Sequence, residues 1–230
     1  MKKVLLVATV QSHIYHFHRP LIDMLHAHGY EVHVAAHDDL KYMNGINLNR
    51  ADKIFNVDFS RTPLSIDNLT GYKRLKAIVQ AEKYEVIHTN TPNASACVRL
   101  ACRKLRKKGT KVIYTAHGFH FYKGATFLNW LIYYPIEKYL SKFTDVLITI
   151  NQEDYALAKK RMKAKRVEYI AGVGIDIQKF AICSIDRESK RQELGLKQRE
   201  IAILSVGEVN DNKNHVIIIK AIAKLKDNKI

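Results

Sequence analysis

Histidine, asparagine and threonine side chains crowd into a few short segments of this 230-residue chain, and each segment lies just past a run of β-branched apolar residues. The segment from Thr9 to Pro20 carries Gln11, His13, His16 and His18. Later segments are His88-Thr89-Asn90-Thr91-Pro92-Asn93, then Ala116-His117-Gly118-Phe119-His120-Phe121-Tyr122, then Asn151-Gln152-Glu153-Asp154, then Gly172-Val173-Gly174-Ile175-Asp176. A last segment, Gly207-Glu208-Val209-Asn210-Asp211-Asn212-Lys213-Asn214, adds a lysine. Neutral polar groups, aromatic rings and glycines gathered in this way suit a polyol-binding cleft. Other chemistries are excluded. No G-x-G-x-x-G follows the first apolar run, no G-x-x-x-x-G-K-[ST] occurs, and there is no G-x-S-x-G elbow, so dinucleotide binding there, P-loop phosphoryl transfer and serine-hydrolase chemistry all fall away. His13, His16 and His18 are of a metal-ligating type, but no cysteine or acid joins them at a zinc spacing and His16 and His18 diverge on a helix; acceptor contact or a polar helix entry is the better reading.

These segments can act together only if the backbone brings them to one edge. Short apolar runs predict strands at Val4–Val10, Glu31–Ala36, Ile54–Phe59, Glu85–His88, Val112–Thr115, Val146–Ile150, Val167–Ile170 and Ile201–Val206, rich in Val and Ile as strands covered on both faces are. Amphipathic stretches predict helices at Phe17–His28, Ile66–Lys83, Ala94–Lys107, Phe127–Phe143, Glu153–Lys163, Arg187–Leu194 and His215–Lys226. Pro135 should kink the aromatic stretch or divide it in two, and Asn151 reads as the N-cap of the helix that begins with Glu153 and Asp154. Alternating strand and helix implies an α/β fold with a doubly wound parallel sheet. Ligands bind at the carboxyl edge of such a sheet, which is where the polar segments fall. Residues 1–180 are expected to form this first domain, 181–199 a linker, and 200–230 the first strand and helix of a second, incomplete one.

The composition, 47% apolar and 26% charged, is that of a globular chain. No stretch approaches the roughly 20 apolar residues of a membrane span. The apolar start is too short and lacks a cleavage site for a signal peptide, so it reads as a buried first strand. Cys97, Cys102 and Cys183 build no disulfide framework, which points to a cytoplasmic location. The formal net charge of +16 bears on partners. It gathers in two clusters, Arg99 to Lys111 and Lys159 to Arg166, which read either as solvated helix ends or as a surface for an anionic membrane. Phe127, Trp130, Tyr133, Tyr134 and Tyr139 read mainly as core, with an interfacial role as the second option. Nucleic acid is not expected, since aromatic residues do not interleave with the basic ones.

Tyr114-Thr115-Ala116-His117-Gly118-Phe119-His120-Phe121 resembles the His-Gly segment of family 4 glycosyltransferases, closest to bacterial capsular and exopolysaccharide members. In order along the chain, His88 to Asn93, Gly172 to Phe180, and Ser205-Val206-Gly207-Glu208 with Lys213-Asn214-His215 resemble it too. The resemblance implies a GT-B fold of two Rossmann-like domains, with the acceptor side in the first and the nucleotide sugar in the second. It implies sugar transfer from a nucleoside diphosphate with retention of configuration, to a lipid-linked or glycan acceptor, with no cofactor and no required metal, in a protein peripheral to the inner face of the cell membrane. His117 falls on the residue that contacts the transferred sugar. Gly207, Glu208, Lys213 and Asn214 fall on the donor-binding edge, with Glu208 where Arg is commoner. Gln11, His13, His16, Thr91, Asn93, Gly118, Phe119, His120 and Asn151 fall on the acceptor-side cleft. The family's Glu-x7-Glu element has no counterpart up to Ile230, so the chain by itself is expected to be inactive. The alternatives are an acceptor-domain subunit of a two-chain transferase, a sugar-nucleotide 2-epimerase and, least favoured, a basic nucleic-acid-binding protein.

Overall fold

Strand β1 (Lys2–Val10) is apolar on both sides because both sides are covered: Val4, Leu6 and Ala8 enter one hydrophobic layer, and Leu5 and Val7 enter another. The computed structural model of the protein, which describes residues 1–43, 46–60, 66–175, 177–178, 186–211 and 213–225, places β1 in the middle of a seven-stranded sheet. The other strands are β2 (Tyr30–His37), β3 (Lys53–Asn56), β4 (Val86–Thr89), β5 (Lys111–Ala116), β6 (Val146–Thr149) and β7 (Arg166–Tyr169). They run parallel in the order β3-β2-β1-β4-β5-β6-β7. This is the α/β doubly wound, Rossmann-like arrangement expected. Its order reverses between β1 and β4, with Val4 of β1 opposite Val32 of β2 on one side and Val86 of β4 on the other.

Helices α1 (Gln11–Phe17) and α2 (Arg19–Ala27) bury Ile14 and Ile22 against one face of the sheet. Helices α3 (Ile66–Glu82) and α4 (Pro92–Cys102) bury Leu75, Val79, Ala94 and Val98 against the other. Helices α5 (Phe127–Ser141) and α6 (Gln152–Arg161) pack with β5 and β6 around Tyr114, Phe119, Phe121 and Leu147. Pro135 lies inside a single continuous α5, so the aromatic stretch is one helix and not two pieces.

Three expectations are overturned. Helix begins at Gln11, where a loop was expected, and Phe17 ends that helix. Arg99 does not belong to a solvated basic face. It is 1% exposed, its guanidinium grips both carboxylate oxygens of Glu137 at 2.5 and 3.0 Å, and it lies 4.4 Å over the Tyr114 ring. Arg106 is likewise bound, donating to both oxygens of Asp145 at 2.8 and 2.9 Å. Of the aromatic residues expected mainly as core, Trp130, Tyr133 and Tyr134 do pack against it, and only Phe127 and Tyr139 are exposed, so this expectation is overturned for those two.

The chain divides into two compact units, Met1–Gly174 and Ile175–Ile230. Within the second, α7 (Arg187–Glu193) is capped by Asp186, whose carboxylate accepts from the Glu188 and Ser189 N–H groups, and α8 (Val216–Leu225) follows the Gly207–His215 loop. The expected strand Ile201–Val206 forms no ladder and its residues are exposed. Composition alone does not make a strand, and among the described residues of this unit there is no neighbour with which it pairs. The first five residues of the expected linker, 181–185, lie outside the described residues, Cys183 among them.

Removing one partner of a buried ion pair strands the other charge, at a cost of about 3–5 kcal/mol. Arg99→Ala should therefore lower urea-unfolding stability by about that much, and the paired Arg99→Met/Glu137→Met protein should recover most of it. A loss under about 1 kcal/mol for Arg99→Ala would mean the pair is solvated.

Candidate functional site

The carboxyl ends of β1, β4 and β5 bring four imidazoles together. Chain reversal after β1 is immediate, because α1 starts at the next residue. Ser12 fixes that start by donating its N–H and hydroxyl to the two oxygens of Asp39, beyond β2, at 2.9 and 2.5 Å. Across the β1–β4 junction the Thr91 hydroxyl oxygen accepts from both the N–H and the hydroxyl of Thr9, at 2.9 and 2.8 Å. With those ends tied, the His13 ring meets the His117 ring edge-on at 5.0 Å and the His18 ring at 5.5 Å, and His18 meets His88 at 5.9 Å. Phe17 packs 6.1 Å from His117. His88 shares a 2.8 Å hydrogen bond with the Thr115 hydroxyl.

His117 sits at the head of a turn that glycine permits: Gly118 has φ of +132°, outside the range of residues with a Cβ. The turn is held by Asp154, 3% exposed, whose Oδ2 accepts the Phe119 N–H at 3.0 Å and the Asn151 amide at 2.8 Å. Phe119 then stacks on Phe121 at 4.9 Å within the core.

The atoms facing this junction are short of partners. His13 Nε2, His18 Nδ1, His117 Nε2, Thr89 Oγ1 and both amide atoms of Asn90 are buried without hydrogen-bond geometry to any other group. Burial costs a charged imidazole its hydration, and the rings repel one another's charge. His13 is lowered to about 4, by burial first and then by His18 and His117. His88 falls to about 3 for the same reasons. His18 and His117 are also lowered, chiefly by burial, although the nearby Asn90 amide partly offsets this at His18. At neutral pH the group is uncharged. Neutral rings and amides with open donors and acceptors match hydroxyl groups; they do not offer the fixed positive charge that a phosphate seeks.

The expected residues are only partly gathered. His13, His117 and buried Gln11 lie at the junction, and Thr91 closes it structurally. His16 is exposed, its ring against Tyr15 and Phe17. Asn93 donates to the Ser60 carbonyl at 2.8 Å. His120 is exposed and stacks on Tyr133 at 4.6 Å. Asn151 spends its amide on the α6 cap, accepting from the Asp154 N–H at 2.7 Å as well as donating to that carboxylate. His18, His88 and Asn90 were not singled out as site residues, yet they complete the group; their common signal was membership of the polar segments Thr9–Pro20 and His88–Asn93 at the carboxyl ends of β1 and β4. Asp154 was visible only as a helix-start acid.

In the second unit, the Gly207–Asn214 loop is organised by His215, whose Nδ1 pairs with the Ser205 hydroxyl at 2.6 Å and whose Nε2 pairs with the Glu208 carbonyl at 3.1 Å. The Lys213 N–H donates to Asn210 Oδ1 at 2.9 Å while its side chain is exposed, and Asn214 takes φ of +47° before α8.

The profile described as Glycosyl transferase 4-like matches residues 3–151, which hold the whole imidazole group. The chain belongs to that family. This family 4-like chain is 40% identical over 228 residues to EpsD of Bacillus subtilis (strain 168), provisionally named a glycosyltransferase, covering 98% of the chain and 58% of EpsD. It is 25% identical over 175 residues, 73% of the chain and 45% of the relative, to the Escherichia coli UDP-Gal:α-D-GlcNAc-diphosphoundecaprenol α-1,3-galactosyltransferase. The chain thus spans about half the length of these relatives. Its fold matches sucrose-phosphate synthase of Thermosynechococcus elongatus with a TM-score of 0.66 at 18% identity, over 98% of the chain and 60% of that structure.

Depressed histidine pKa values make stability depend on pH in one direction. Below about 6.5 the unfolded chain takes up protons that folded His13 and His88 refuse, so stability present above pH 6.5 drains away as pH falls toward about 4 and 3. Carboxylates such as Glu82, held down to about 2 by Lys3 and Lys53, lose their contribution only below about 4.5. Urea titrations between these windows should slope by about 1.4 kcal/mol per pH unit for His88, and His88→Gln should flatten the slope. An unchanged slope in that variant would show that His88 titrates normally.

Proposed function

We propose that the chain is the acceptor-side part of a retaining glycosyltransferase that moves a sugar from a nucleoside-diphosphate sugar to a lipid-linked saccharide in surface-polysaccharide synthesis. The observation that carries this reading is the neutral His13–His18–His117 group, with ring nitrogens left open beside the Asn90 amide, set at the sheet's order reversal in a family 4-like chain. Such a surface hydrogen-bonds a sugar without demanding charge from it. His117 contacts the transferred sugar near its reacting carbon. Gln11 and His13 receive the acceptor together with Gly118 and Phe119, while Thr91, Asn93, Asn151, His16 and His120 shape or border its approach. On the face from which the diphosphate departs, the acceptor hydroxyl's oxygen bonds to the anomeric carbon as the bond to the nucleoside diphosphate breaks; the diphosphate leaves with the electron pair and takes up the hydroxyl's proton. Gly207, Glu208, Lys213 and Asn214 meet the donor, with Lys213 as a point charge for its phosphates and the start of α8 supplying N–H groups of the kind that bind anions. No cofactor and no metal are assigned a part, and no nucleic acid is a partner. The E. coli relative's name, which joins UDP-Gal to a diphosphoundecaprenol-linked sugar, supports this choice of donor and acceptor classes. A nucleotide-sugar donor together with a lipid-linked acceptor supports a location at the cytoplasmic face of the membrane.

The test is transfer by the full-length protein from a panel of nucleotide sugars to a GlcNAc-diphosphoryl lipid. His117→Ala should cut kcat by about 10²–10³-fold, the range for losing one group that acts at a transition state. Full activity in that variant would remove His117 from the chemistry. Appearance of the 2-epimer of the supplied sugar, with no acceptor product, would indicate an epimerase instead.

A further inference from the structure

Helix α5 buries one side and leaves the other bare. Glu137, Leu140 and Ser141 are buried, with Trp130, Tyr133 and Tyr134 packed partly into the core. Phe127, Leu128, Leu131, Ile132, Ile136 and Tyr139 are exposed, Phe127 by 78% and Leu128 by 63%. At 100° per residue these six fall within one half of the helix circumference. The outward half of a solvated helix ordinarily carries the charges. Here the helix's only acid, Glu137, is turned inward to Arg99. The neighbouring cations Lys138 and Lys142 lie 5.5 and 5.3 Å from the Tyr134 and Tyr139 rings.

Beside this strip, α5 and α6 enclose a groove of about 490 Å³ lined by Trp130, Tyr134, Ala156, Leu157, Lys160 and Arg161. Its walls are aromatic and aliphatic, and two cations belong to its lining. Lys159 and Lys163 extend this basic edge, while Lys165 and Arg166 are already paired with Asp145 at 3.0 Å and Glu168 at 2.5 Å. Apolar side chains that seek the acyl boundary, next to cations that seek phosphate, are the two halves of an interfacial membrane surface. A protein partner would have to cover the strip and neutralise the cations with a matching acidic patch; anionic phospholipid does both at once.

We propose that the exposed face of α5 and the adjoining α5–α6 groove form a docking surface for an anionic bilayer, with α5 lying in the interface and Lys160 and Arg161 engaging lipid phosphates. The proposal rests on the membrane-face location given above but not on the transfer chemistry.

Trp130 is the chain's only tryptophan and lines the groove, so it reports directly. With phosphatidylcholine vesicles containing phosphatidylglycerol, its emission should shift to the blue and be quenched by bromine-labelled acyl chains; pure phosphatidylcholine should give neither effect. Leu131→Asp/Ile132→Asp should weaken vesicle binding on the order of tenfold or more with an unchanged circular-dichroism melt. Lys160→Glu/Arg161→Glu should weaken it mainly at low salt. Absence of vesicle binding overturns the proposal. So does binding that leaves Trp130 unquenched and survives the Leu131/Ile132 change, or a concentration-dependent dimer that this change dissolves while vesicles are ignored. Transfer to a detergent-solubilised acceptor should be unaffected by Leu131→Asp/Ile132→Asp, so loss of docking and loss of the transferase reading are scored separately.

Discussion

The reversal of strand order between β1 and β4 governs the site. Helices that follow the two strands leave on opposite faces of the sheet, α1 on one and α4 on the other, so no crossover closes the space between their first turns. A parallel sheet cannot avoid such a crevice where its order reverses, and here the chain spends its polar residues there. The Thr9–Thr91 bonds close the floor, and Ser12 on Asp39 sets the angle at which α1 departs. The imidazoles then approach from strand ends already positioned by the core.

Charge is sorted between two places. The chain carries a net charge of +16, yet the crevice is held neutral by burial of its histidines. Much of the excess lies on the later helices and loops, where exposed Lys159, Lys160 and Arg161 end α6 with the favourable sign for a helix terminus. The open hydrogen-bonding groups of the crevice and the excess positive charge thus occupy different parts of the first unit.

Seven strands were legible because parallel strands covered on both faces leave short runs rich in Val and Ile, as in Val4 to Val10 and Val146 to Ile150. The start of α1 was not legible. Gln11, Ser12 and His13 carry no apolar period, Val10 offers no capping side chain, and the helix is anchored by Asp39, a contact 27 residues away. Arg99 looked like one of several basic residues because its partner is 38 positions further on. The aromatic run in α5 could be read as core because periodicity reports that a face is apolar and is silent about what covers it. Ile201–Val206 has strand composition, but pairing is a property of two segments, and one segment's residues cannot supply it. Of the residues that meet at the β1–β4–β5 junction, Gln11, His13, Thr91 and His117 had been named from sequence. The joining of His18, His88 and Asn90 to them depended on strand order, which a single sequence does not display.

The Arg99–Glu137 pair also constrains how this chain can change over generations. Either residue replaced alone leaves a buried charge without its counterion, so single-step routes away from the pair pass through a poorly stable protein, even though an apolar pair in the same volume would serve the fold. The two positions are free to drift only together or after another substitution has added a reserve of stability. Because Glu137 is the only acid of α5, a lineage that did escape would leave that helix with no acidic residue at all, so the history of an internal contact and the net charge of α5 are bound to the same codon.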